Sequence, residues 1–123
     1  MRKCVMTSVL VVEDNVENME LIICLLEMKG YEFEVAMDGE KALELANKCI
    51  FDLIILDIQL PKIDGFEVLK RLINTPNSNT PVMTVTACAL KKDEEHFLAG
   101  KCAHSLTKPY SMNKFFEVVS IYL

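Results

Sequence analysis

Two short stretches of this chain are apolar on both of the faces a strand would present. Ser8 to Val12 reads SVLVV, and Asp52 to Leu56 reads DLIIL. Successive side chains of a strand point to opposite faces, so a strand with one wet face alternates apolar and polar residues. A run without that alternation must be covered on both sides, as central strands of a parallel sheet between two helical layers are. Three weaker runs of strand length follow: Phe33 to Met37, Pro81 to Thr86 (PVMTVT) and Cys102 to Leu106.

The stretches between these runs have helical spacing. Val16, Met19, Ile23 and Leu26 fall on one face, and Gly30 suits a C-terminal stop. Ala42, Leu45 and Ala46 mark a second helix, and Phe66, Leu69 and Ile73 a third. Met112, Phe115, Phe116 and Val119 follow an i, i+3, i+4, i+7 pattern behind Ser111, a candidate N-cap. These stripes read as core. Leu90 to Ala99 (LKKDEEHFLA) has few apolar positions; if helical, it is lightly anchored and mobile, with Cys88 to Gly100 among the least protected parts of the chain. Five strands alternating with five helices predict an α/β fold with a parallel sheet and right-handed crossovers.

Nothing divides the chain. Its 123 residues are the size of one domain, and the polar segment Asn74 to Pro81 (NTPNSNTP) is too short to separate two. Residues 1–123 are therefore expected to form a single domain. Hydrophobic residues make up 51%, enough for a core, and charged residues 25%, which argues against disorder. Thirteen basic against eighteen acidic side chains give a net charge of -5, which disfavours nucleic acid as a partner.

Five cysteines, at 4, 24, 49, 88 and 102, are odd in number and form no C-x-x-C pair, so a zinc or redox site is not expected. They read as reduced, small apolar residues of a cytosolic protein. Arg2 and Lys3 before an apolar run resemble the start of a signal peptide, but Thr7 and Ser8 interrupt the run and Glu13 and Asp14 end it. A buried strand is the better reading. No apolar segment approaches the roughly 18 residues of a membrane span, and a soluble, cytoplasmic protein is expected.

In a doubly wound sheet, ligands bind beyond the carboxyl ends of the strands. Glu13 and Asp14 follow the first apolar run, and Asp57 follows the third. The fourth run ends in Thr86, and Lys108 follows the fifth. Each has a bland reading alone: an acidic pair at a strand end is usually helix N-terminal charge, and Asp57 with Pro61 is usually loop chemistry. Together, every polar anomaly sits at the same end of a different strand. Three carboxylates in one pocket raise each other's pKa, and a divalent cation removes the conflict. Magnesium takes hard oxygen ligands and keeps several waters, so one or two carboxylates suffice. A carboxylate can also attack phosphorus to give an aspartyl phosphate, with Lys108 holding one phosphoryl oxygen and the Thr86 hydroxyl another.

VLVVEDN, DLIILDIQLPKIDG, PVMTVTA and LTKP resemble the signature blocks of response-regulator receiver domains, in matching order and across almost the whole chain. The resemblance implies a flavodoxin-like (βα)5 three-layer sandwich with strand order 2-1-3-4-5. It implies that Asp57 is the phosphoacceptor, that Asp14 binds Mg2+ (or Mn2+) directly, and that Glu13 acts mainly through water. The Gln59 backbone carbonyl would complete the protein ligands. Lys108 would contact the phosphoryl group, Thr86 would be the switch hydroxyl, and Pro61 and Gly65 would shape the loop after Asp57. VEDNVENM, LDIQLP and VTACALKKDEE look most like stand-alone DivK-type cell-cycle regulators. One position departs from the pattern. Three residues before the conserved Lys, receivers usually carry Tyr or Phe, and this chain has Ser105. His104 beside it reads as a surface residue, and Tyr110 is a substitute by proximity alone.

The implied function is a phosphorylatable switch in a two-component phosphorelay. A histidine kinase or phosphotransfer protein donates the phosphoryl group, and output is expected to pass to a downstream protein, since no effector domain follows residue 123 in this sequence; a receiver excised from a longer protein is the alternative reading. The chain would catalyse only its own phosphorylation and dephosphorylation. One competitor is a receiver-like binding module not regulated by phosphorylation, against which the complete set Glu13, Asp14, Asp57, Thr86 and Lys108 argues. The other, a flavin or nucleotide enzyme on a flavodoxin-like fold, lacks a glycine-rich phosphate loop in a chain of only four glycines.

Overall fold

The computed structural model describes residues 8–86, 92 and 103–123. Five strands are present: β1 (Ser8–Val12), β2 (Glu32–Ala36), β3 (Leu53–Asp57), β4 (Val82–Thr86) and β5 (His104–Thr107). All pair in parallel, in the order β2-β1-β3-β4-β5. The four helices among the described residues are α1 (Val16–Met28), α2 (Gly39–Lys48), α3 (Gly65–Leu72) and α4 (Met112–Tyr122). The lightly anchored segment expected at Leu90–Ala99 lies outside the described residues.

β1, β3 and β4 are buried at every position. Their side chains divide by parity into two cores. Leu10, Val12, Ile54 and Leu56 pack with Ala42, Leu45 and Ala46 of α2 and Val68, Leu69 and Leu72 of α3. Val9, Val11, Leu53, Ile55, Met83 and Val85 pack on the opposite face with Met19, Ile22, Leu25 and Leu26 of α1 and Phe115, Val118 and Val119 of α4. The sheet is thus the middle of three layers.

Each helix starts from a polar cap. Asn15, Asp38, Asp64 and Ser111 accept the amide N–H of Asn18, Lys41, Glu67 and Lys114 at 2.8–3.0 Å, contacts typically worth about 1 kcal/mol each. α1 ends where Gly30 takes φ 73°, with Gly30 N–H on the Glu27 carbonyl and Tyr31 N–H on that of Leu26.

The α2 stripe Ala42, Leu45 and Ala46 is buried as expected, but on the other helices the buried face is rotated from the expected positions. On α1 the buried face is Met19, Ile22, Leu25 and Leu26, while Val16 is 59% exposed. Ile73 and Met112 are likewise exposed, and Val68, Leu72 and Val118 take the core. An adjacent apolar pair such as Ile22–Ile23 fits two helical faces, and docking on the sheet buries Ile22 fully and Ile23 only in part. Cys24 is a free, exposed thiol, but Cys49 is disulfide-bonded, so the expectation of five reduced cysteines fails there. An odd count and the lack of a C-x-x-C motif say nothing about which thiols are close in space.

The polar loop Asn74 to Pro81 has a buried anchor. The Asn77 side-chain amide donates to the carbonyls of Ala46 and Cys49, both at 2.7 Å, and its oxygen accepts from Phe51 N–H at 2.8 Å and Thr80 Oγ1 at 2.9 Å. All four of its hydrogen-bonding positions are filled, and the end of α2, the segment before β3 and the loop before β4 are tied at one point.

Candidate functional site

The strand order reverses direction at β1, so the carboxyl ends of β1 and β3 lie side by side. Val12 is in register with Leu56, which brings Glu13, just after β1, next to Asp57, the last residue of β3. Glu13 is fully buried and Asp57 is 4% exposed, whereas Asp14 faces solvent. Each of the three offers a carboxylate oxygen, and these oxygens lie within 4.8 Å of one another.

Among the described residues, one cation reaches into this cluster. Lys108 Nζ donates to Glu13 Oε2 at 2.9 Å and to Asp57 Oδ2 at 3.3 Å. The remaining oxygens are held by backbone: Glu13 Oε1 accepts Asn15 N–H at 3.2 Å, and Asp57 Oδ1 accepts Gln59 N–H at 3.0 Å. Lys108 N–H in turn donates to the Thr86 carbonyl at 2.8 Å, which attaches the end of β5 to that of β4. Thr86 is buried beside Val85, the residue in register with Asp57.

Burial pushes the Glu13 carboxyl up from its ordinary pKa; the Lys108 hydrogen bond pulls it back, and neighbouring Asp57 adds to the rise. Burial pulls Lys108 down, but its contacts with Glu13 and Asp57 outweigh this and hold its pKa above the ordinary value. The site therefore retains an ammonium among three carboxylates, leaving excess negative charge for a cation to neutralise.

The loop after Asp57 folds tightly against it. Gly65 N–H donates to the Ile58 carbonyl at 2.9 Å, and a Cβ at Gly65 would meet Ile58 Cα at 2.5 Å and the Asp57 carbonyl oxygen at 2.9 Å. Lys62 in the same loop takes φ 64°, uncommon for a residue with a side chain.

Sequence reasoning missed part of the surroundings. Tyr110 lies stacked on buried Phe115, ring centroids 5.8 Å apart and planes 19° apart. Burial and the charges of Glu13 and Asp57 push its phenol up to about 12. Ser105 is exposed on β5, with Oγ 2.7 Å from Oγ1 of buried Thr84. His104, expected at the surface, is half-buried, with Nδ1 2.6 Å from the Tyr122 hydroxyl. It sits on the α1/α4 side of an edge strand, where α4 covers it, a neighbour its own sequence position does not reveal.

Residues 9–120 match the family model described as the response regulator receiver domain. The chain belongs to the response-regulator receiver family. Among its curated relatives are polar-differentiation response regulators DivK of Brucella anthropi and Brucella ovis, each 44% identical over 117 residues, covering 94% of this chain and 95% of theirs. Among solved structures, Vibrio cholerae CheY4 superposes with a TM-score of 0.87 at 28% identity, covering 97% of this chain and all of that one. The receiver domain of the Pseudomonas aeruginosa sensor histidine kinase PA1611, solved with a magnesium ion coordinated in its active-site cleft, gives 0.85 at 28% identity, covering 94% and 96%. As a receiver, this chain is a two-component signalling domain with the flavodoxin-like strand order, and no helix among its described residues is long and apolar enough to cross a membrane.

Proposed function

We propose that residues 1–123 form one receiver domain that accepts a phosphoryl group on Asp57 and signals by protein contacts. The observation that carries this reading is the buried pair Glu13–Asp57, bridged by Lys108 with Asp14 at its rim. An Asp57 oxygen forms a bond to phosphorus as the bond to the donor's leaving group breaks, and the leaving group departs with that electron pair. Lys108 then exchanges a carboxylate partner for a phosphoryl oxygen, and the Thr86 hydroxyl donates to another. Gln59 N–H, already on Asp57 Oδ1, keeps the carboxylate oriented.

The donor set suits magnesium: all hard oxygens, one carboxylate exposed and two held by backbone amides. Asp14 and Asp57 would hold the ion, with Glu13 through water and the Gln59 carbonyl completing the protein ligands. When bound, it supplies positive charge opposite the phosphoryl oxygens; Mn2+ would substitute. The donor is a histidine kinase or phosphotransfer protein, the output a downstream protein, and the location cytoplasmic. Nucleic acid is not a direct partner of a chain with net charge -5.

The test is intact-mass measurement after incubation with phosphoramidate. Labelling is expected only with Mg2+ or Mn2+ and is expected to vanish in Asp57→Asn. Equal labelling of that variant removes Asp57 as the acceptor. No labelling under any condition favours the receiver-like module that phosphorylation does not regulate.

A further inference from the structure

The turn from β2 into α2 touches the surroundings of the acidic pocket twice. The Ala36 carbonyl, at the end of β2, accepts the Glu13 N–H at 3.0 Å. Three residues on, Gly39 opens α2 against the loop that follows Asp57. A Cβ on Gly39 would meet the Ile63 carbonyl oxygen and Val68 Cγ2, both at 2.8 Å, and Ile63 Cβ at 3.0 Å. The φ of Gly39 is not positive, so conformation does not demand a glycine here; the close approach of the loop does. That loop carries Gln59, whose N–H lies on Asp57 Oδ1. Lys62 Nζ reaches across the same junction to Asp38 Oδ2, but at 3.7 Å on the surface this pair adds little. Lys62 holds φ 64°, a costly conformation that persists only where the surroundings impose it. Gly39 packs on the next residue, Ile63, and supplies such support.

We infer that Gly39 is a positioning residue for the cation site: its missing side chain lets the loop after Asp57 seat against α2, and that seating fixes where Gln59 stands beside the carboxylates. This rests on the reading of the Gln59 carbonyl, Asp14 and Asp57 as magnesium ligands. With a Cβ present, the loop or α2 must retreat by about 0.6 Å to reach ordinary contact at 3.4 Å. One of the atoms met is a backbone oxygen, so no change of rotamer relieves the clash. Binding constellations tolerate roughly 0.5 Å of misplacement. Magnesium demands near-ideal octahedral geometry, whereas calcium accepts variable coordination. A displaced loop therefore costs magnesium more than calcium.

The experiment measures cation affinity rather than phosphorylation, in wild type, Gly39→Ala, Ile63→Ala and Ala42→Gly, each at a temperature where circular dichroism shows it folded. Mn2+ binding is read from the free-ion signal in electron paramagnetic resonance, and Mg2+ and Ca2+ binding from displacement of Mn2+. Gly39→Ala is expected to raise the Kd for Mg2+ about tenfold, as loss of the support around metal ligands does, and that for Ca2+ about threefold or less. Ile63→Ala trims the loop's side of the contact and is expected to raise the Mg2+ value about threefold. Ala42→Gly removes a buried methyl group from the same helix; it reports lost stability alone and should leave both values within about twofold. A Mg2+ value within about twofold of wild type in Gly39→Ala overturns the inference while leaving the magnesium reading intact. Equal weakening in Gly39→Ala and Ala42→Gly overturns it as well. If Gly39→Ala does not fold, the Ile63→Ala value decides alone. A wild type that binds none of the three ions defeats the magnesium reading itself, and this inference with it.

Discussion

Lys108 and Glu13, 95 residues apart in sequence, meet at 2.9 Å between Nζ and Oε2, and the same ammonium lies 3.3 Å from Asp57. One cation thus links the carboxyl ends of β1, β3 and β5. It offsets only part of the charge that Glu13, Asp14 and Asp57 bring together, and the energetics of the metal-free pocket follow from that imbalance.

Removing one of those charges is expected to stabilise the metal-free domain. Asp57→Asn should unfold later than wild type in EDTA at neutral pH, by about 1–3 kcal/mol as uncompensated charges go, and toward the lower end because Lys108 already pairs with Asp57. Magnesium should stabilise wild type by mass action and the variant less, since one ligand is weakened. Urea melts with EDTA and with excess Mg2+ measure both. A variant less stable in EDTA would mean that the Lys108 attraction outweighs the crowding.

Glu13 gives the pocket a pH dependence of definite sign. Burial, the largest influence, raises its folded pKa above the ordinary 4.5, so the folded state binds the proton more tightly than the unfolded chain. The penalty of the charged, buried form is present above the folded pKa and relieved as pH falls toward 4.5. Relative to Glu13→Gln, wild type should therefore lose stability as pH rises through this window and hold a constant difference above it. Thermal melts in EDTA across the window check the slope; a difference that runs the opposite way means that Lys108 pairing governs the group.

Asn77 is expected to be among the costliest side chains to truncate outside the apolar core. Asn77→Ala leaves the Phe51 N–H and the Ala46 and Cys49 carbonyls without the partner they have now. Stranding buried polar groups costs about 1–3 kcal/mol each, partly recovered by water, so a loss of about 2–4 kcal/mol is expected in urea melts. A loss below about 1 kcal/mol would show that water replaces the amide readily.

Ser105 has no ring to bury, so activation here cannot depend on burying one at that position. Ser105→Tyr should leave Asp57 labelling intact while changing affinity for an output partner. The substitution breaks the 2.7 Å contact between the Ser105 and Thr84 hydroxyls, a cost of about 1 kcal/mol at this exposed position. Loss of labelling in phosphoramidate assays would make this position a support of the site rather than of the output.

What could be read from the chain was whatever depends on local pattern or on strand ends. Ser8–Val12 and the apolar stretch before Asp57 announce strands covered on both faces, because a parallel sheet wets neither side of its centre. The boundaries shifted by one or two residues where pairing, not composition, ends a strand. β3 runs on to Asp57 because that residue still pairs with Val85, and β5 begins at His104 opposite Met83. The convergence of Glu13, Asp57 and Lys108 was legible too, since in this topology residues after successive strands share one edge.

Tertiary structure alone decided which apolar residues of α1 face inward, leaving Val16 exposed and burying Ile22 rather than its neighbour Ile23. It also decided that Asn77, in a stretch that reads as plain polar loop, closes four hydrogen bonds to the end of α2, the segment before β3 and its own loop. Stacking of Tyr110 on Phe115 and pairing of His104 with Tyr122 belong to the same class. A single chain position declares its own chemistry and periodicity, but not the atoms from distant segments that will surround it. Those are set when helices dock on the sheet, because an amide, a phenol or an imidazole can be buried only where folding places partners within hydrogen-bonding or packing distance.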